Sequence, residues 1–529
     1  MRTKRLWLWA FLCFFTLGVS WAFSSPLLSV PDEPAHIVKS AAVARGQLTG
    51  RKLFVPDEGP GSLFRGGFTV TVNVPESYAW QTSTIPNCFI YSPDVPASCA
   101  PSFIDQPNTS EWTTWVGEYP PLYYISVGWT TLISTGHLGI TLARVISAAI
   151  CAAFLATAFA CASTSSRHRV MAIGVILAAT PMTFFLAGSV NPNGLEIASA
   201  ICFWTTFGVA LTLRERPVSR SLYLAVLISA LTLIGTRPLS VVWLAVAAAV
   251  LLVGFGSPRD LIERTGNTRS AIAAALIGLA TIGAMVWTFA LNALGNVQGD
   301  EPRGLGLFGA IKHSASRTPD YIRQMVGVFG WRSTTPPLAL AIAWSLAILI
   351  VLAVALLLSK QRARFAIVLA GVATIGLPVI MEAVQAHGRG FPWQGRYGLP
   401  LAVGLPITAS IALSQTQSLR TQIRRSLVWL VVIVTACAQV VAHASAMRRY
   451  VVGNGGSWWY LFADGWAPPL PAWSLLLIVV AAATALGTLS VLTIRESEVG
   501  QGSCDHVSGG DQPDSNPDWS PANSRVSGQ

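Results

Sequence analysis

Apolar runs of about 20 residues recur along the chain and are separated by short polar stretches. One such run is what a helix needs to cross a bilayer. The pattern predicts twelve spans, at roughly 6–23, 138–163, 170–189, 195–213, 221–236, 238–256, 271–293, 335–358, 365–384, 398–413, 426–446 and 470–493. The run 121–136 is apolar too, but it is short and begins at Pro120-Pro121. It reads either as a further span or as a helix lying along the interface.

The basic residues decide between these readings. With 121–136 kept out of the membrane and the N-terminus inside, one set of clusters falls entirely on the cytoplasmic side. The set is Arg2/Lys4/Arg5, Arg167/Arg169, Arg214/Arg216/Arg220, Arg259/Arg264/Arg269, Lys360/Arg362/Arg364, Arg420/Arg424/Arg425 and Arg495. That is the distribution the positive-inside rule requires. A crossing at 121–136 would invert every later cluster. The expected organisation is therefore a cytoplasmic N-terminus and first span (1–23), then a long extracytoplasmic loop with membrane-surface helices (24–137). Helices 2–12 follow over 138–493, with outer loops at 294–334, 385–397 and 447–469. A disordered cytoplasmic tail, rich in Gly, Ser, Pro, Asp and Asn, closes the chain at 494–529. The expected fold is an all-α inner-membrane protein with both termini inside.

Composition agrees. Of 529 residues, 52% are hydrophobic and 11% charged, against about 25% charged in soluble chains; mean hydropathy is +0.53. The net charge of +11 is dispersed among the loops rather than gathered in one patch, so a nucleic-acid partner is not indicated. Arg2, Lys4 and Arg5 before the run Leu6–Phe23 resemble a signal peptide. The run is long, rich in Trp and Phe, and lacks a small-x-small cleavage site, so it reads as an uncleaved span. Most cysteines lie in apolar runs and there is no CxxC or His/Cys cluster, so no metal site is called. Cys88 and Cys99 fall in the long polar loop, where a disulfide or two free thiols both fit.

Mid-span ionisable residues, the mark of ion-coupled transport, are scarce. Arg144, Glu196, Arg237 and Glu382 lie near span ends on the expected outer side. The first loop opens Val30-Pro31-Asp32-Glu33-Pro34-Ala35-His36. Pro34 suits the first turn of a helix, and 35–48 reads as an amphipathic surface helix. Asp32 and Glu33 at its start are a candidate general base and partner, or a helix cap with a surface salt bridge. Glu118-Tyr119-Pro120-Pro121-Leu122-Tyr123-Tyr124 returns the chain to the interface, and Asn191-Pro192-Asn193-Gly194 reads as a hairpin turn. Arg237 before Pro238 reads as a phosphate anchor or as a snorkelling residue. His387, Arg389 and Arg396, with Trp393 and Tyr397, form a cationic, aromatic outer loop, and Trp331 with Arg332 follows Phe329-Gly330 in another. Such a mixture suits a lipid-linked phosphate beside a sugar ring, or a headgroup girdle.

Together, in this order and spacing, Pro-Asp-Glu-Pro-x-His, Pro-Pro-Leu-Tyr-Tyr, Asn-Pro-Asn, Phe-Gly-Trp and Gln-Gly-Arg-Tyr resemble the bacterial membrane family catalogued as domain of unknown function 2142. The resemblance covers about residues 5–490. That family is similar in layout to the GT-C glycosyltransferases, multi-span enzymes with a catalytic acid in the first extracytoplasmic loop and polyprenyl-phosphate sugars as donors. The resemblance implies Asp32 as base with Glu33 as its partner, or the reverse. It implies Arg396, then Arg237, Arg389 and His387, on the donor phosphate, and His36, Tyr123, Trp331, Trp393 and Tyr397 around the substrate. The implied partners are the bilayer, a lipid-linked sugar donor and a cell-envelope glycan or glycolipid acceptor. A divalent metal at Asp32 and Glu33 is compatible, as in some GT-C enzymes. Arg237 departs from the lysine common before this proline, keeping charge but not geometry. A flippase for lipid-linked glycans and a non-catalytic membrane protein are the alternatives.

Overall fold

The computed structural model describes residues 3–57, 65–163, 169–213, 217–294, 305–416 and 419–505. Among them, nine helices are long and apolar enough to cross a membrane. They are Thr3–Ser24, His137–Ala162, Pro192–Thr212, Asn267–Ala290, Leu338–Leu358, Gln361–Ala386, Gly395–Ser414, Thr421–Val452 and Ala472–Thr493. A tenth results if Ser240–Phe255 and Pro258–Thr265, bent by 94° at Gly256, form one span. The molecule is a multi-span helical membrane protein.

Three of the twelve expected runs, 170–189, 221–236 and 238–256, fall short of an unbroken long helix, two of them for plain local reasons. The 170–189 run is not one helix but two, Met171–Ala178 and Pro181–Ala187. Pro181 has no N–H to continue the ladder, and the Thr180 hydroxyl caps the second piece by accepting from the Thr183 N–H at 3.4 Å. Both pieces are wholly buried, which is where interrupted backbone is tolerated at membrane depth. The 221–236 run is a 17-residue helix, Arg220–Thr236, stopped by Pro238, since the residue before a proline is driven out of helical geometry.

The segment 25–136 covers one end of the bundle. It meets the end of Thr3–Ser24, the starts of His137–Ala162 and Pro192–Thr212, and the end of Thr421–Val452. Only helices were expected in it, yet it contains a three-stranded antiparallel sheet in order β1 (Arg51–Asp57), β2 (Arg65–Pro75), β3 (Thr109–Thr114). Leu53 stands opposite Thr69, and Val72 opposite Trp112. The strand signal was present: Val70, Val72 and Val74 alternate with polar residues and are buried, the period-two pattern of a half-buried strand. Helix Glu33–Ala44 is a second correction. It does not lie amphipathically on a surface; every residue from Glu33 to Val43 is buried, packed against β2, β3 and the short helix Leu122–Gly128.

The 121–136 run forms Leu122–Gly128 and Thr130–Ile133. At about 1.5 Å per residue the pair rises only about 18 Å, short of the roughly 30 Å hydrocarbon core. Cys88 and Cys99 are joined by a disulfide, with Cα atoms 6.2 Å apart. Its loop is held by Arg449, whose guanidinium donates to the carbonyls of Val95 (2.8 Å), Phe89 (2.5 Å) and Ser92 (3.1 Å). The tail expected from 494 begins as helix, because Ala472–Asp505 runs on without a break. The remainder, 506–529, and the acidic stretch at 299–303 lie outside the described residues.

Candidate functional site

Asp32 and Glu33 begin the buried helix, but their side chains diverge. Asp32 is the N-cap residue and adopts a left-handed backbone, φ 62°, a conformation tolerated by aspartate better than by most residues. Its carboxylate does not cap the helix. It accepts instead from Arg396 Nη2 at 2.6 Å, and it stays partly open, 22% exposed against 5% for the arginine. Glu33 turns inward to Arg144, which donates Nε to Oε1 at 2.7 Å and Nη2 to Oε2 at 2.5 Å. The Val190 N–H adds a third bond to Glu33 at 3.0 Å. Arg144 spends its other hydrogens on the carbonyls of Ala22, Ser25 and Pro26. The Glu33–Arg144 pair is fully buried and fully satisfied, and it ties the first loop to the end of the first helix and the start of the second long one.

Around Asp32 the structure gathers residues distant in sequence. Arg237 and Arg396 both stand over the ring of Tyr397, 4.9 and 5.1 Å from its centroid. Arg237 also faces the Tyr119 ring at 5.6 Å and reaches Glu196 at 3.4 Å. The Asn193 side-chain oxygen accepts from it as well. Glu196 is further held by the Ser240 hydroxyl at 2.7 Å. His36 lies between Tyr119 and Tyr124, ring centroids 6.2 and 5.9 Å away, with Nδ1 2.9 Å from the Tyr124 hydroxyl. Burial, and then the charges of Arg237 and Arg396, hold its pKa well below 6.5, so His36 is neutral at physiological pH. Trp393 meets the Tyr397 ring edge-on at 5.9 Å.

The supports come from turns that read as punctuation in the sequence. Asn191 caps Pro192–Thr212 with its side-chain oxygen, while its Nδ2 donates to the Pro31 carbonyl at 2.9 Å, fixing the residue before Asp32. Glu382 accepts from the Trp393 N–H at 3.0 Å, Tyr321 at 2.8 Å and Ser314 at 2.6 Å. Gln324 accepts from the Gly395 N–H at 2.8 Å. These contacts set the 391–397 segment that carries Trp393, Arg396 and Tyr397.

Of the residues singled out in the sequence, Asp32, His36, Arg237, Trp393, Arg396 and Tyr397 come together. Tyr123 does not face Asp32: its hydroxyl donates toward Ser147 (3.1 Å) and the Ser189 carbonyl (3.3 Å), and Tyr124 stands at His36 instead. Trp331 packs on Tyr91 of the disulfide loop, ring centroids 5.8 Å apart, away from the cluster. The side chains of His387 and Arg389 lie outside the described residues. Sequence reading missed Tyr119, Tyr124, Asn193 and Glu196 as members of the site. The Glu-Tyr-Pro-Pro and Asn-Pro-Asn motifs were the available signal.

A family model described as "Predicted membrane protein (DUF2142)" matches residues 14–405. The chain belongs to that family. The matched region takes in the whole 25–136 segment and the residues assembled around Asp32. No curated protein matches the sequence. Solved structures similar to it include two of one protein. One is the crystal structure of ArnT from Cupriavidus metallidurans bound to undecaprenyl phosphate, at 14% identity and a TM-score of 0.40, covering 95% of this chain and 79% of that one. The other is ArnT from the same organism in the apo state, at 14% identity and a TM-score of 0.35, covering 88% and 76%.

Proposed function

We propose that this protein is a membrane glycosyltransferase that moves a sugar from a polyprenyl-phosphate donor to a cell-envelope acceptor. The end of the bundle covered by residues 25–136 is, on this reading, the extracytoplasmic one. The observation that carries it is the pairing of a partly open carboxylate, Asp32, with the buried Arg396, in one cluster with Arg237, a neutral histidine and three tyrosines.

Asp32 is the general base. It takes the proton of an acceptor hydroxyl while that oxygen bonds to the anomeric carbon. The bond from that carbon to the phosphate oxygen breaks, and polyprenyl phosphate leaves with the electron pair. The charge that grows on the leaving phosphate is met by Arg396, with the positive charge of Arg237 adding its field from across the Tyr397 ring, in a site partly shielded from water. Glu33 is already bound on both oxygens, so its part is to position the turn that presents Asp32. Tyr119, Trp393 and Tyr397 offer ring faces and edges to a sugar. Both carboxylates of the Asp32–Glu33 pair are neutralised by guanidiniums, a donor set that does not fit a divalent cation.

The test is envelope-glycan mass spectrometry on a deletion strain complemented with the wild-type or the Asp32→Asn gene. The glycosyltransferase reading expects one glycan mass to vanish in the deletion and to return only with the wild-type gene. If instead the lipid-linked precursor builds up on the cytoplasmic leaflet and Asp32→Asn restores transfer, the protein moves the carrier rather than the sugar.

A further inference from the structure

Arg396 uses only part of its hydrogen-bonding capacity. Nη2 meets Asp32 and, at 3.3 Å, the Tyr397 hydroxyl. Nε and Nη1 are buried and have no partner among the described residues. A buried N–H left unpaired costs free energy, so these hydrogens call for an acceptor. They belong to a residue that lines a narrow crevice together with Pro31, Gln324, Gln394 and Arg332 and the apolar Met182 and Phe185.

The crevice is built for negative charge. Among the described residues, no acidic one lines it. The nearby carboxylates are engaged elsewhere: Asp32 by Arg396, Asp320 by the Gln324 amide at 2.6 Å, and Glu382 by Ser314, Tyr321 and Trp393. Gln394 is the N-cap residue of the Gly395–Ala402 helix, yet its side chain makes no capping bond, leaving the amide free to turn toward a ligand. The positive end of that helix adds to the field.

Arg332 is the unexpected member. It is exposed, forms no hydrogen bond or ion pair among the described residues, and holds a left-handed backbone, φ 63°, uncommon for a non-glycine residue. The surrounding turn imposes this. Phe329 and Thr334 exchange two backbone hydrogen bonds, at 2.8 and 3.1 Å, Gly330 is also left-handed at φ 58°, and Asn454 Nδ2 holds the Ser333 carbonyl at 2.8 Å. The turn thus holds a positively charged, exposed side chain beside the crevice at the cost of a left-handed backbone.

We infer that this crevice is a phosphate subsite in which Arg332 and Gln394 are ligand contacts beside Arg396, on the opposite side of the guanidinium from Asp32. The inference rests on the donor reading above and deepens it. The phosphate enters next to Pro31, engages the free hydrogens of Arg396, and is closed over by Arg332. The sugar is then left on the Asp32 side, where the base acts. The same chemistry would hold free phosphate, so the source is part of the test.

Binding of three probes to the full-length protein in lipid nanodiscs separates the outcomes: farnesyl phosphate, farnesol and inorganic phosphate. Arg332→Ala and Gln394→Ala change an exposed and a half-buried side chain and leave the Arg396–Asp32 pair in place. The expected result is that farnesyl phosphate binds the wild type, that Arg332→Ala weakens it by about 10- to 100-fold, as loss of a charge-assisted bond does, that Gln394→Ala weakens it less, and that farnesol is insensitive to both. Equal farnesyl phosphate affinity in the wild type and the Arg332→Ala/Gln394→Ala double variant overturns the subsite while leaving the donor reading intact. Arg332-dependent binding of inorganic phosphate with no preference for farnesyl phosphate upholds the anion site and removes the lipid donor. No binding of either phosphate to the wild type overturns the subsite.

Discussion

Asp32 and Glu33 are neighbours in the chain with opposite circumstances. Glu33 is sealed in a bidentate bond to Arg144 with a third bond from the backbone, so removing one partner leaves a buried charge uncompensated. Such losses cost about 3–5 kcal/mol. Glu33→Gln or Arg144→Met is therefore expected to lower the thermal unfolding temperature of the detergent-solubilised protein by many degrees, whereas Asp32→Asn, at a partly open position where the amide oxygen can still accept from Arg396, lowers it less while abolishing activity. Equal destabilisation by the two carboxylate variants would remove the distinction. His36 gives a pH test. Its pKa is held well below 6.5 by burial and by two guanidiniums, so the folded state keeps it neutral while the unfolded chain takes up a proton below pH 6.5. Stability is then lost as pH falls through that value, by up to about 1.4 kcal/mol per pH unit. His36→Gln is expected to flatten the acid limb of a pH–unfolding curve; an unchanged limb would place the titration elsewhere. The adjacency of the two carboxylates was legible in the sequence. Their separation of roles was not, because it depends on which arginine each meets, more than 100 positions away in both cases.

Among the elements, the long apolar helices were the most legible, because a 20-residue apolar run has one stable answer in lipid. What escaped was interruption: Pro181 splits one expected span, and Pro238 shortens another. The strands around Val70–Val74 carried a readable alternation that the prior for helix overshadowed. Helix Glu33–Ala44 was placed on a surface because its polar residues mark a wet face. Lys39, the clearest of them, is buried instead, donating to the Leu48 carbonyl at 2.6 Å and to the Gly117 carbonyl, and burial lowers its pKa to about 8. The disulfide loop is a separate unit pinned by Arg449. Cys88→Ser with Cys99→Ser is expected to cost about 2–4 kcal/mol and to open residues 88–99 to protease, with the membrane helices unaffected. Loss of the whole fold in that variant would make the loop a part of the core.

At the scale of the whole molecule, the ends of the helices sort themselves. The starts of His137–Ala162, Pro192–Thr212 and Gly395–Ser414 share one end with the close of Thr3–Ser24, Arg220–Thr236 and Thr421–Val452, and every site residue is at that end. The basic clusters at 259–269, 360–364 and 420–425 fall at the other ends of their helices. The orientation proposed above, which the positive-inside rule supports, turns the Asp32 site away from the cytoplasm. Cysteines introduced at Ser457 and Arg259, both exposed, are expected to differ in intact cells: a membrane-impermeant maleimide should label the first and spare the second. The reverse pattern would put Asp32 on the cytoplasmic side, where no extracytoplasmic acceptor is met. The central claim is that the Asp32 carboxylate performs sugar transfer, and one measurement addresses it most directly. In a deletion strain producing the Asp32→Asn protein at wild-type level, mass spectrometry of the envelope glycans is predicted to find the same missing sugar as in the deletion itself; glycans indistinguishable from those of the wild type would contradict it.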